Sequence, residues 1–180
     1  MSEPEEDEIA CVARCLKGDA SAFEPLVLRY QRVLFTVALR LLGNAEDARD
    51  ATQNAFIRAY ERLDTFDPSR RFFSWMYRIA VNESLNLRRA QRPHEPLPPT
   101  LETSGGTMDR LEARELSERV QAALMTLSSE HREVVVMRHF ADLSYEEIAE
   151  TLDIPAKTVK SRLFSARQRL APLLVVGEES

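Results

Sequence analysis

Apolar residues recur along this chain at steps of three and four, the period of helices that bury one face. Ile9, Val12, Ala13 and Leu16 make such a face over residues 6–17, and Gly18 stands in the usual place past a helix end. A second helix is predicted to open with a capping box, Ser21 to Glu24, and to bury Leu26, Tyr30, Val33, Leu34, Val37 and Leu41 before Gly43 closes it. A third starts from Asn44 as cap, with Glu46 and Asp47 near its positive end and Ala48, Ala51, Ala55, Phe56, Ala59 and Leu63 inward. After the polar stretch LDTFDPSRR a long helix runs from about Phe72 to Gln91, with Phe72, Trp75, Met76, Ile79, Ala80 and Leu87 inward.

Residues 93–107 break the pattern. Proline, glycine and hydroxyl residues there show no apolar periodicity, the composition of a flexible linker. Helical pattern resumes at about Met108, through Leu111, Leu116, Val120, Ala123, Leu124 and Leu127, and again from Ser129 to Phe140 with Val134, Val135 and Met137. The expected fold is all-α: two small helical domains, 1–92 and 108–180, joined by the linker 93–107.

Residues 144–163, SYEEIAETLDIPAKTVKSRL, carry the sharpest local signal. Ser144 and Glu147 are spaced as a capping box, Asp153 falls where a tight turn is needed, and Pro155 suits the start of the next helix. This reads as helix-turn-helix. In its second helix Val159, Leu163, Ala166 and Leu170 form a buried face, while Lys157, Thr158, Ser161, Arg162 and Ser165 stand opposite. Such a helix can enter the major groove, where Arg and Lys read guanine and hydroxyls bind phosphate or base edges.

Charge sharpens the picture. The 180 residues carry 24 bases and 29 acids, a net charge of −5, and the five acids Glu3, Glu5, Glu6, Asp7 and Glu8 equal that whole excess. Positions 70–92 hold six arginines against one acid, Glu83, and positions 155–170 hold five bases against none. Two basic stripes on an acidic chain point to local contact with a polyanion. In the long helix Arg71, Ser74, Arg78, Asn82, Asn86 and Arg89 share one face, rich in groups that bind phosphate and base edges.

Other chemistries find no foothold. Cys11 and Cys15 lie four apart on a helix and give no disulfide framework or CxxC pair; both are expected as semi-buried packing residues. His94, His131 and His139 have no metal-ligand spacing, and no catalytic carboxylate pair, phosphate loop or nucleophile with a base is found. Neither an enzyme nor a bound cofactor or metal is expected. No apolar run nears the ~20 residues that cross a bilayer, and MSEPEEDEIA is acidic where a signal peptide is basic. The expectation is a cytoplasmic protein without membrane insertion.

From Lys17 to Leu174 the chain resembles a bacterial RNA polymerase sigma factor of the extracytoplasmic-function (ECF) class, in the sigma-70 family. The first half resembles region 2 through GDASAF (18–23), GNAEDARDATQNAFIRAY (43–60) and FFSWMYRIAVN (72–82), and the second resembles region 4 through LSYEEIAETLDIP and TVKSRLFSARQRL. Helix-turn-helix alone says little about role; both halves in this order around a proline-rich linker are highly specific.

The resemblance implies a non-enzymatic subunit in transcription initiation and stress response. It implies that Asp47, Asp50, Gln53 and Asn54 dock on the clamp helices of the largest subunit of core RNA polymerase. It further implies that the 64–71 loop and the Arg71, Ser74, Arg78, Asn82, Asn86 and Arg89 face recognise and melt the −10 promoter DNA, with Phe66 or Tyr77 either stacking on bases or packing in the core. Trp75 is expected in the core. Lys157, Thr158, Lys160, Ser161, Arg162 and Ser165 would contact the −35 element, and an anti-sigma factor is an implied further partner. The chain departs from the family pattern where Asp153 and Lys157 replace glycines and Asn54 replaces an acid. The competing reading is a dimeric helix-turn-helix transcriptional regulator, which would bind symmetric half-sites.

Overall fold

The computed structural model describes residues 4–90 and 108–174, with side chains described for 7–90 and 113–174. The expected linker, 93–107, lies outside the described residues. All regular structure among them is helical. The chain divides into two compact units, Met1–Leu42 with Glu46–His94, and Gly43–Ala45 with Glu95–Ser180.

The first unit contains α1 (Pro4–Leu16), a 3-10 turn at Ala20–Phe23, α2 (Glu24–Leu42), α3 (Ala45–Glu61), a second 3-10 turn at Leu63–Thr65 and α4 (Phe72–Ala90). Its core is filled by Leu26, Leu34, Val37 and Leu41 of α2, Ala48, Ala51, Ala55 and Ala59 of α3, and Phe72, Met76, Tyr77, Ala80 and Val81 of α4. Phe23 joins the first 3-10 turn to α3, its ring edge-on to Phe56 at 6.4 Å and to Tyr60 at 5.2 Å. Gly18 takes φ +99° just past α1, which only glycine adopts without strain, and its N–H closes the helix on the Cys15 carbonyl at 2.9 Å.

Three details differ from the pattern in the sequence. In α1 the buried face is Glu8, Val12 and Cys15, whereas Ile9 and Leu16 are exposed; the helix is turned because the Glu8 carboxylate accepts hydrogen bonds from Arg29, at 2.8 Å, and from the Tyr30 hydroxyl. The Ser21–Glu24 capping box does not form, since the Ser21 hydroxyl donates to Asp19 at 2.5 Å and a 3-10 turn precedes α2. In α4 the buried stripe passes through Tyr77, Val81, Ser84 and Leu85, leaving Trp75, Ile79 and Leu87 half-buried. Of the two cysteines, Cys11 is half-buried as expected, whereas Cys15 is buried.

The second unit contains α5 (Met108–Thr126), α6 (Ser129–His139), α7 (Tyr145–Leu152) and α8 (Ala156–Leu174). Helix α8 packs against α5, α6 and α7 through Val159, Leu163, Ala166 and Leu170, all buried, and meets a core of Leu124, Leu127, Val134, Val136, Met137 and Ile148. Arg132 is buried as well. Its guanidinium donates to the carbonyls of Leu124 and Leu127 at 3.0 Å each, satisfying carbonyls that the C-terminal end of α5 leaves without helical partners. Leu116, on the expected apolar face of α5, is exposed, and Val120 is half-buried.

Candidate polymerase and promoter interfaces

The helix-turn-helix is built by local chemistry. Ser144 caps α7: the Glu147 N–H donates to its Oγ at 3.1 Å, and the Ser144 N–H donates to Glu147 Oε2 at 2.8 Å, completing a capping box. The turn is made at Asp153, left-handed at φ 53° and ψ 49°, a conformation Asp tolerates better than most residues. The Ile154 N–H reaches back to the Ala149 carbonyl at 3.0 Å, and the Pro155 carbonyl accepts from Thr158 at 2.8 Å to launch α8.

On α8, Lys157, Lys160 and Ser161 are exposed, and Thr158, Arg162 and Ser165 are half-buried. Their surroundings differ. Arg162 lies at the flank, with its Nη2 3.2 Å from Glu130 Oε2 in the first turn of α6. Lys160 Nζ sits 5.6 Å from the centre of the Tyr145 ring, which Arg138 also approaches at 5.5 Å, within cation–π range. Near Arg138 and Arg167, and partly buried, His139 is held below the usual histidine range, burial being the larger cause.

Phe164 went unnoticed in the pattern and is 64% exposed, the most exposed large apolar side chain among the described residues. The available signal was its register: it falls off the Val159, Leu163, Ala166, Leu170 stripe, on the side of Lys157 and Ser161.

In the first unit Arg71, Asn82, Asn86 and Arg89 are exposed on α4 and its N-terminal approach, with Ser74 and Arg78 half-buried. These polar groups share one helix face, away from Met76, Tyr77 and Ala80. In the loop before α4, Asp67 accepts from the Ser69 amide at 2.9 Å and hydroxyl at 2.7 Å. Those bonds hold its carboxyl below the usual aspartate range, with Arg70 adding to the effect.

Of the two roles left open for Phe66 and Tyr77, stacking or packing, both rings take the packing one in this structure. Phe66 is 7% exposed, packed between Phe72 at 5.3 Å and Trp75 at 5.5 Å. Tyr77 is fully buried beside Phe73, and its hydroxyl has no hydrogen-bond partner. Neither offers a ring face to a base in this conformation, because the loop folds back onto α4 and buries its one aromatic. Trp75, expected in the core, is half-buried at the edge of this cluster.

On α3, Asp50, Gln53 and Asn54 are exposed and Asp47 is half-buried, opposite the buried alanines. Ile57, 50% exposed, extends the same face; an apolar residue one turn after Gln53 and off the alanine stripe was the signal for it. Beside this face a groove of about 520 Å³ opens between α2 and α3, with Val27, Phe35 and Phe56 among its lining and Arg32, Arg49 and Gln53 also bordering it. Among the described residues no group of histidine, cysteine and acidic side chains could hold a metal ion, and no helix is long and apolar enough to cross a membrane.

Comparison with known proteins draws these surfaces together. The family model of sigma-70 region 2 matches residues 26–94, and that of sigma-70 region 4 matches residues 117–170. The ECF RNA polymerase sigma factor SigW of Bacillus subtilis is 36% identical over 167 residues, which cover 86% of this chain and 89% of its own. The ECF RNA polymerase sigma-E factor of Escherichia coli K12 is 37% identical over 183 residues, covering 94% of this chain and 95% of its own. Among solved structures, CnrH, in complex with the cytosolic domain of CnrY, aligns with a TM-score of 0.69 at 29% identity, over 96% of this chain and 99% of its own. The sigma factor RpoE of Bartonella quintana, in complex with the anti-sigma factor NepR, shares the fold with a TM-score of 0.70 at 24% identity, over 87% of this chain and 98% of its own.

Both signature regions of a sigma-70 protein are therefore present, in order. Within that family the chain belongs to the ECF RNA polymerase sigma factors. A region 2 ahead of the helix-turn-helix has no counterpart in a dimeric helix-turn-helix regulator, and that reading is not favoured.

Proposed function

We propose that this ECF sigma factor binds core RNA polymerase through one face of α3, recognises and opens the −10 element with the loop and face of α4, and reads the −35 element with α8. The observation that carries the reading is the pairing of a region 2 unit with a helix-turn-helix whose second helix has five bases and no acid over residues 155–170. Asp47, Asp50, Gln53 and Asn54 are the residues assigned to the clamp helices of the largest polymerase subunit. Arg71, Ser74, Arg78, Asn82, Asn86 and Arg89 are assigned to −10 DNA, and Lys157, Thr158, Lys160, Ser161, Arg162 and Ser165 to the −35 duplex. Phe66, as a buried residue, supports the 64–71 loop from beneath.

The protein works as a non-catalytic subunit in the cytoplasm, with residues 93–107 as the tether between 1–92 and 108–180. An anti-sigma factor is proposed as a further partner, in keeping with the complexes in which CnrH and RpoE were solved. Melting needs unstacked bases to be captured, and the arginines and asparagines of α4 supply phosphate and base-edge partners for a separated strand.

The test is capture of purified core polymerase by the full chain. Asp50→Arg with Gln53→Ala, both exposed and outside the core, is expected to weaken capture at least tenfold with helix content unchanged. Equal capture by wild type and double variant would remove α3 from the account.

A further inference from the structure

Among the described residues, Arg162 is the one cation of α8 with an acidic ion-pair partner, and that partner comes from another helix. Glu130, in the first turn of α6, places Oε2 3.2 Å from Arg162 Nη2; the Arg162 side chain is 22% exposed and that of Glu130 62%. Two ordinary explanations fall short. An ion pair this exposed adds little to folding, and a carboxylate at the edge of a DNA-binding surface opposes phosphate rather than attracting it. What the pair does achieve is to draw one end of a planar, five-donor group toward α6.

We propose that Glu130 is a positioning residue that sets −35 specificity through Arg162. By drawing one amino group toward α6 it biases the guanidinium away from the swing to the nearest phosphate and leaves its remaining donors for a base edge. An unrestrained arginine at the same place would gain a phosphate contact, which strengthens binding to every sequence alike and carries no sequence information. Glu130 therefore exchanges general affinity for discrimination. The inference rests on the reading of α8 as the −35 helix.

The experiment uses the full chain assembled with core polymerase and a pool of promoter duplexes with a randomised −35 hexamer, competed over 50–200 mM salt. Glu130→Ala is expected to reduce the preference at one base pair by about tenfold, to raise affinity for the unselected pool, and to steepen the salt slope by about 0.9, the signature of one added phosphate contact. Glu130→Gln keeps the shape and an acceptor oxygen, so it should retain more of the preference than alanine does. Arg162→Ala should remove the preference at that same base pair, and adding Glu130→Ala to it should change nothing more, since the two act as a unit.

A wild-type hexamer profile and salt slope in Glu130→Ala would overturn the proposal, as would an equal effect of Glu130→Ala with and without Arg162. If wild type selects no hexamer, the −35 reading itself falls and this proposal with it, a result distinct from both.

Discussion

The rings of Phe66 and Trp75 lie 5.5 Å apart, inclined at 56°, which makes the centre of the loop before α4 part of the aromatic core. With Phe72 also 5.3 Å from Phe66, truncation removes a ring that two others pack against. Phe66→Ala is expected to cost about 3–5 kcal/mol and Phe66→Leu less than about 1.5 kcal/mol, measured by denaturant unfolding of the full chain. A loss below about 1 kcal/mol for alanine would mean that the loop spends its time away from α4, with Phe66 free to meet a base.

Tyr77 presents the opposite case, a buried side chain with one group too many. Its hydroxyl is out of solvent without a partner, and burial drives its ionisation well above the usual tyrosine range. Leaving such a group unpaired costs about 1–3 kcal/mol. Tyr77→Phe should therefore raise stability, by about 1 kcal/mol, in thermal or denaturant melts. A drop of that size would show that the hydroxyl is hydrogen-bonded in solution.

What could be read from the sequence, and what could not, follows from the range of the forces involved. The Ser144–Glu147 box and the Val159, Leu163, Ala166, Leu170 stripe were legible because each depends on neighbours within a turn or two of helix. The Ser21–Glu24 box has the same spacing yet failed, because Asp19 competes for the Ser21 hydroxyl. Tertiary contacts were the invisible part. Glu8 turns α1 by pairing with Arg29, 21 residues away, Phe66 is buried by a loop that has no period, and Arg132 goes inside to cap α5. At the candidate interfaces, residue types on α3, α4 and α8 could be read, whereas the ion pair of Arg162 with Glu130, 32 positions earlier, leaves no trace in local pattern.

The turn of the helix-turn-helix offers a direct test of backbone strain. Asp153 holds φ 53°, where a side chain costs roughly 1–2 kcal/mol relative to glycine, less for Asp. Asp153→Gly is expected to raise the melting temperature slightly, by about 0.5 kcal/mol of stability, and Asp153→Val to lower stability by about 1–2 kcal/mol. Ser144→Ala, which removes the acceptor of the Glu147 amide, should cost about 1 kcal/mol. Equal stability of the glycine and valine variants would contradict the left-handed turn.

The central claim is that this chain gives core polymerase a promoter preference it lacks alone. Run-off transcription from a genomic fragment library, with purified core enzyme in the presence and absence of the chain, tests it most directly. The expected result is a small set of start sites that appear only with the chain, share paired upstream elements, and disappear when Arg71, Arg78 and Arg89 of the −10 face are replaced together by alanine. Start sites identical with and without the chain, or unaffected by that triple replacement, would contradict it.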